Sequence, residues 1–399
     1  MKRKLVATLA SVVLMNALST QAQVSNKSVT RALLPSVPFL LFSPDSRASA
    51  MGDAGVASSP DANSIYWNTA KLAFIDKNIG STVSYSPWLR DLVDDMGLLN
   101  VGLFKKIDKS STFGVSMTYF NQGEIQFTTA TGQPNGTFQS RDMNITAGYA
   151  RKIGRDFSTG INLRYIHSNL IGNQVVNGIA SKAANNVAGD ISFFYTNEKP
   201  SVKNKDRGTR YTAGATISNI GGKINYGRGA FYIPTNLKIG GGLNYKIDAH
   251  NQFNILLDVN KLLIPTPPLR DNNNKIVKGK DPETTGVISG IFGSFSDAPD
   301  GFKEELREFT LSTGVEYWYN NLFALRGGYF MESNAKGGNK FVTSGLGFKI
   351  NNYQLDLSYL IPTTQGNPLA NTWRITLIFD MDAKKISSPT DTETPTESQ

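Results

Sequence analysis

The 399-residue chain has no cysteine and only two histidines. Without cysteine no disulfide can brace a loop, and no lipidated cysteine can anchor the mature N-terminus. The histidines, His167 and His250, lie far apart with no serine and carboxylate grouped around either. Nucleophilic catalysis, a metal centre and a bound cofactor are therefore not expected. The loop Asp271-Asn272-Asn273-Asn274 offers oxygen donors, but Lys275, Lys278 and Lys280 dilute them, which makes a poor calcium site. Charged residues make up 18% of the chain, and its net charge is +9, of which Lys2, Arg3 and Lys4 supply three. The remaining excess sits in short basic clusters such as Lys105, Lys106 and Lys109, or Arg151, Lys152 and Arg155. These have no interleaved aromatics, so they read as a solvated rim near anionic lipid and not as a nucleic-acid site. Beyond the first residues there is also no apolar run long enough to cross a bilayer as a helix.

What is present is a leader followed by an alternating pattern. Residues 1–22 read as a signal peptide: three basic residues, the apolar stretch Leu5 to Leu18, then Thr20 and Ala22 at small positions before the cut. From Ile79 to Phe379 large apolar residues alternate with small or polar ones, as in Phe113, Val115, Met117 and Tyr119 against Gly114, Ser116 and Thr118. Tyr353, Leu355, Leu357 and Tyr359 alternate in the same way with Gln354, Asp356 and Ser358. A strand projects successive side chains to opposite faces, so each unit has one oily and one wet face. About fourteen such units follow one another, beginning near residues 79, 98, 112, 142, 157, 187, 209, 236, 251, 309, 322, 341, 353 and 371.

Connection lengths separate a soluble sandwich from a membrane barrel. Every second connection is tight, among them Asp248 to His250, Asn320-Asn321 and Asn351-Asn352. The others are longer: Asn121 to Ser140, Ser168 to Asn186, Gly221 to Pro234 and Leu263 to Arg307. That parity is expected when the two ends of a barrel face different compartments. The expected fold is all-β, a 14-stranded antiparallel transmembrane β-barrel over residues 78–380, with Tyr and Trp such as Tyr85, Trp88, Tyr317 and Trp373 forming interfacial girdles.

Three segments stand apart from the strands. Residues 23–77 form an N-terminal extension and hatch: the stretch Ser43 to Phe74 is rich in Ala, Gly and Ser, yet carries Met51, Val56, Ile65, Tyr66, Trp67, Leu72 and Phe74, which a solvated linker seldom does. Gly240-Gly241-Gly242 falls within a strand and is expected to allow curvature or close packing against that hatch. The loop 263–307, expected to be extracellular, carries a proline cluster and the apolar residues Ile288, Ile291, Phe292, Phe295 and Phe302. It is either a partner surface, with Pro267, Phe292, Phe295, Pro299 and Phe302 as its contacts, or a cap folded over the lumen. Asp300 is placed to cap a short helix with Phe302 and Leu306 on one face. Residues 381–399 are hydrophilic and are expected to form a disordered tail.

A family resemblance adds to this reading. Met51, Gly52, Ala54 and Gly55, then Asn63-Ser64, Asn68-Thr69-Ala70 and Leu72, resemble the hatch of the FadL superfamily of plugged outer-membrane barrels, with Thr69 where that hatch usually carries proline. Pro44-Asp45-Ser46-Arg47, Met51-Gly52-Asp53, Ser59-Pro60-Asp61-Ala62 and Trp67-Asn68 resemble one branch more closely, the PorV family of type IX secretion in Bacteroidetes. The likeness continues through Leu263-Ile264-Pro265-Thr266-Pro267-Pro268, Gly293 to Pro299, Glu304-Glu305-Leu306, Leu325 to Phe330 and Ser358 to Pro362. The resemblance implies an FadL-like barrel whose hatch is built on Met51, Gly52, Asp53, Asn63, Trp67, Asn68 and Ala70. It also implies a non-enzymatic protein embedded in outer-membrane lipid. Its implied partners are the large barrel of the type IX translocon, cargo proteins with C-terminal signal domains, and the sortase-containing surface complex that attaches cargo to lipopolysaccharide. The alternative implied by the wider superfamily is a transporter of hydrophobic small molecules.

Overall fold

A computed structural model describes residues 31–89, 93, 95–129, 131–176, 179–200, 207–227, 229–363 and 372–381. The expected signal peptide (1–22) lies outside these residues, as does the tail after Met381. The alternating stretches form fourteen strands: β1 (Ile79–Pro87), β2 (Gly97–Lys106), β3 (Ser111–Thr128), β4 (Pro134–Lys152), β5 (Phe157–Asn169), β6 (Ala184–Pro200) and β7 (Gly208–Gly221), followed by β8 (Asn236–Lys246), β9 (Asn251–Leu262), β10 (Phe309–Tyr319), β11 (Phe323–Met331), β12 (Lys340–Ile350), β13 (Tyr353–Pro362) and β14 (Trp373–Met381). Each pairs antiparallel with its sequence neighbour, and β14 returns to β1 with Leu377 opposite Val83, which closes the barrel. Closure leaves no edge strand, so the wall satisfies its own backbone.

The two faces separate as the alternation requires. Phe113, Met117, Ile145, Leu163, Ile255, Leu325 and Leu377 are exposed on the outer wall, whereas Gly114, Ser116, Thr146, Asp356 and Thr376 point inward and are buried. Outward aromatic pairs ring the short-turn end: Phe157 with Phe193, Phe253 with Tyr317, Phe323 with Phe348 and Tyr353 with Phe379, at centroid separations of 6.1, 4.8, 5.3 and 4.9 Å. Tyr85 and Trp373 meet near the other rim. Trp88, expected in the girdle, instead turns inward and stacks on Phe42 of the N-terminal segment at 4.2 Å. It lies just past the end of β1, where the strand no longer dictates direction.

The parity of connections also holds. Short turns join β2 to β3, β4 to β5, β8 to β9, β10 to β11 and β12 to β13 at one end. The tightest use Asn320, Asn321 and Asn351 at φ of 55, 52 and 54°, a left-handed backbone that asparagine tolerates. The connection expected as a loop from Asn121 to Ser140 is different, because β3 and β4 continue as a paired ribbon with Glu124 opposite Gln139 and Ile125 opposite Phe138. A register shift between Asn121 and Glu124, around Gly123 at φ 84°, breaks the alternation where the ribbon leaves the wall. Beyond it both faces meet solvent, so no oily and wet contrast marks the strands.

The lumen is occupied by the chain's own N-terminal segment. A 3-10 turn (Pro38–Leu41), α1 (Ser46–Ser49), α2 (Ser64–Trp67) and a second 3-10 turn (Thr69–Phe74) lie inside the wall ahead of β1. Two of these pieces are started by a side-chain cap: Asp45 accepts from the Ala48 N–H at 2.9 Å at the head of α1, and Asn68 accepts from the Ala70 N–H at 3.1 Å at the head of the second 3-10 turn. Two apolar clusters hold the segment. Toward the long loops Val37, Phe39 and Leu40 pack with Trp88, Leu98, Phe120 and Ile166. Toward the short turns Ile65, Leu72, Ala73 and Ile75 pack with Phe104 and Ile378.

Candidate functional site: a latched plug and an apolar loop

Plug and wall meet at backbone distance. Gly52 has φ 67°, and a Cβ there would stand 2.6 Å from the Tyr329 carbonyl oxygen and 2.8 Å from that of Thr313. Across from it a Cβ on Gly328 would collide with the Met51 carbonyl carbon and the Gly52 nitrogen. A Cβ on Gly240 would collide with Asp258 Oδ1 and stand 3.2 Å from the Val56 Cβ, and one on Gly242 would collide with Thr212 Oγ1 and stand 3.1 Å from the Ala57 carbonyl oxygen, while one on the outward Gly241 would meet nothing within 4 Å. Two of the three glycines therefore make room for the wall side chains Asp258 and Thr212 and for the plug behind them.

The residues named for the hatch occupy distinct positions in it. Met51 is fully buried beside Ala54 and Leu256. Asp53 is half-buried, at φ 61°. The Asn63 N–H donates to Asp61 at 3.0 Å. The Trp67 indole N–H donates to Asp45 at 2.6 Å. Asn68 donates to the carbonyls of Val56 and, on β6, Phe193 at 3.1 and 2.9 Å. The Ala70 N–H donates to Ser192, and its carbonyl accepts from Ser158 at 2.7 Å. Thr69, at the position where proline is usual, begins the second 3-10 turn and donates its hydroxyl to Asn162 at 2.7 Å. Asn68 as cap and Thr69 as anchor thus make the bend that a proline would otherwise impose.

A chain of buried charges ties plug to wall, and sequence reasoning did not single it out. Arg47 of α1 donates to both carboxylate oxygens of Glu316 on β10 at 2.9 and 3.0 Å, and to Asp61 within the plug at 2.9 Å. Glu316 also accepts from Arg326 on β11 at 2.7 Å, and Arg326 donates to Asp356 on β13 at 2.7 Å. The wall side chains of this chain have no solvent exposure. Elsewhere in the plug, Lys71 donates to the Gly55 carbonyl and Ser58 at 2.7 and 2.8 Å, and Asp258 of β9 accepts the Gly55 and Val56 N–H groups at 2.7 and 2.9 Å.

The loop between β9 and β10 is a second distinct feature. It contains a small hairpin (Leu269–Arg270 with Ile276–Lys278), α3 (Val287–Gly293) and α4 (Phe302–Leu306). Asp271 is used inside the hairpin, accepting from the N–H groups of Asn273 and Lys275 at 2.9 Å each. The base of the loop is pinned by paired charges. Lys261 reaches Glu305 and Glu308 at 3.1 and 2.6 Å, and Lys336 reaches Glu304 and Glu308 at 2.7 and 2.8 Å. Arg31 pairs with Glu304 at 2.8 Å and with Asp300. Burial works to raise the Glu304 carboxyl, but the hydrogen bonds from Arg31 and Lys336 prevail and hold it down at about 2. The cap of α4 is Gly301 at φ 73° and not Asp300, whose carboxylate is taken by Arg31.

On this pinned base the apolar residues face outward. Phe292 and Phe302 are 74% and 75% exposed, and Ile288, Phe295 and Leu306 are exposed with them. Pro267 is half-buried and Pro299 buried, so these two stiffen the loop beneath the exposed face. His167 and His250 lie on the surface, with ring nitrogens against Asn185 and Asn320.

A closed fourteen-stranded wall with an oily exterior, an aromatic rim and a lumen filled by its own N-terminus defines a plugged outer-membrane β-barrel. A family model described as type IX secretion system protein PorV matches residues 23–269, and the chain belongs to that family. It is an outer-membrane component of type IX secretion. No curated protein matches the chain. Among solved structures it is similar to the toluene transporter TbuX of Ralstonia pickettii, at 10% identity and a TM-score of 0.47 over 86% of this chain and 98% of that one. It is also similar to a FadL homologue of Pseudomonas aeruginosa, at 12% identity and a TM-score of 0.45 over 84% and 98% of the two chains.

Proposed function

We propose that the protein is a non-enzymatic platform of type IX secretion. It takes secreted proteins with C-terminal signal domains at the large translocon barrel and delivers them to the sortase-containing complex at the cell surface. In this reading the long-loop end faces the exterior and the plug keeps the lumen from serving as a pore. The observation that carries it is the exposed apolar face of Ile288, Phe292, Phe295, Phe302 and Leu306, set on a base of buried ion pairs. Exposed apolar groups on a held scaffold mark a partner surface, because a face left free of a partner gains nothing from this hydrophobic exposure.

Deleting the gene tests the proposal. Signal-bearing cargo should accumulate in the periplasm or appear unattached outside, and normal secretion and attachment in the deletion strain would sink the idea. A pull-down from solubilised outer membrane should recover a very large barrel or signal-domain proteins. A transporter of hydrophobic molecules predicts instead an uptake defect for long-chain fatty acids or aromatics, which the platform reading does not.

A further inference from the structure

Ahead of the plug, residues 31–36 run along the long-loop end of the barrel and touch three of its loops. The Arg31 N–H donates to the Ala335 carbonyl at 3.1 Å, in the loop between β11 and β12. Further along, the Ser36 N–H donates to the Tyr232 carbonyl at 2.9 Å, between β7 and β8. The Arg31 guanidinium reaches the third loop, pairing with Glu304 of α4 and with Asp300 before it. Tyr232 in turn donates its hydroxyl to the Thr285 carbonyl at 2.7 Å, which joins two of the three loops to each other.

The plug imposes the direction of this segment. Val37 joins the two at φ 50° and ψ 52°, a left-handed conformation that a β-branched residue adopts only where its surroundings enforce it. Here they do, because Val37 is buried in the apolar cluster of Phe39, Leu40, Trp88 and Phe120. Pro35 and Pro38 stiffen the backbone on either side. The turn at Val37 therefore sets the path by which the chain leaves the lumen.

The charges at the loop base need this segment. Asp300, Glu304, Glu305 and Glu308 pair with three cations: Lys261 of β9, Lys336 of the loop between β11 and β12, and Arg31. Glu305 also accepts the Ala298 N–H, Glu308 accepts the Thr266 hydroxyl, and Asp297 adds a further carboxylate beside them. Lys303 and Arg307, which flank these carboxylates in sequence, are exposed. Without Arg31 the buried Glu304 would be left, among the described residues, with Lys336 and the Asp300 N–H against a surplus of neighbouring carboxylates. We propose that residues 31–36 are a strap that reaches the exterior side of the membrane and holds the mouth loops together, with Arg31 as the residue that positions α4 and the apolar side chains it carries. The proposal rests on the preceding reading only for which end of the barrel faces outward.

The chain has no cysteine, so single-cysteine variants report topology cleanly. Leu34 is 86% exposed within the strap, and Val277 in the long loop and Ile153 in the short turn between β4 and β5 are exposed as well. Each is changed to cysteine, and intact cells are treated with a membrane-impermeant maleimide. Leu34→Cys and Val277→Cys should label to similar extents, and Ile153→Cys only after permeabilisation. Labelling of Val277→Cys but not of Leu34→Cys would overturn the strap while leaving the orientation intact. Labelling of Ile153→Cys but not of Val277→Cys would overturn the orientation and the strap together. Hydrogen exchange on the purified full-length barrel tests the clamp. Arg31→Met should raise exchange at least about tenfold both in α4 and at the Ser36 N–H, with the urea midpoint of the wall unchanged. Loss of an isolated ion pair would loosen α4 alone, and that result, or no change at either place, would overturn the assignment. Arg31→Lys keeps the charge without the guanidinium fork and should fall between wild type and Arg31→Met. If heat-modifiable gel migration shows that Arg31→Met does not fold, Arg31→Lys carries the same test.

Discussion

Arg47 and Glu316 face each other across the plug–wall boundary as a bidentate pair, at 2.9 and 3.0 Å, with Glu316 fully buried. Removing one member of a buried pair strands the other, at a cost of about 3–5 kcal/mol. Arg47→Met should therefore lower the urea midpoint of the folded barrel and loosen the plug. In planar bilayers the wild-type protein should be electrically silent, whereas the variant should show transient openings. A silent variant with an unchanged midpoint would show that the pair is not a latch.

Gly328 and Gly241 make a matched test of the close approach. Gly328→Ala places a methyl against Met51 and Gly52, and overpacking of this kind costs about 1–3 kcal/mol. Gly241→Ala projects into open space outside the wall. Comparing denaturation midpoints, the first should fall and the second should stay near wild type. Equal effects would show that the plug yields easily at Gly328.

The base of the 263–307 loop should be acid-sensitive. Glu304 has its folded pKa depressed to about 2 from an ordinary 4.5. Its contribution is therefore fully present above about pH 4.5 and is lost as pH falls from there toward 2. Hydrogen exchange or limited proteolysis of the loop should rise through that window while the wall stays protected. Glu304→Gln should make loop protection lower and less pH-dependent. An unchanged loop at pH 3 would contradict this role of the Arg31 and Lys336 contacts.

Phe292→Ser with Phe302→Ser removes two exposed rings that support no described core. The variant should fold and insert normally, as judged by heat-modifiable migration, yet recover less translocon or signal-domain protein in a pull-down. Undiminished recovery would move the partner surface elsewhere.

The wall was legible because its chemistry repeats. Phe113 and Met117 outward with Ser116 and Thr118 inward is a pattern that any lipid-facing strand must keep, and it locates strand ends closely. The ribbon beyond Asn121 escaped because solvent lies on both its faces and nothing enforces alternation there. The plug was legible from apolar residues set among small ones, since Met51, Trp67 and Leu72 need a dry neighbour. Its latch was not. Glu316, Arg326 and Asp356 fall at wet positions, which identifies them as luminal, but alternation does not say which wet residue on one strand meets which on another. The hairpin turn at Asn320-Asn321 sets Arg326 opposite Glu316, but the links onward to Arg47 of the plug and to Asp356 two strands away arise only in the folded barrel. Asp300 was misread as a cap because its competing partner, Arg31, stands 269 positions away.

The contact between plug and wall also constrains the order of assembly. The plug packs its backbone against Gly328 and ties itself to β5, β6, β9 and β10 by hydrogen bonds or ion pairs. An object gripped so closely cannot be threaded into a finished cylinder. The seam between β1 and β14 joins strands about 300 residues apart, the most distant pairing in the wall and the slowest kind to find. The segment made first must then already be in place when that seam zips shut, so the barrel is cast around its plug.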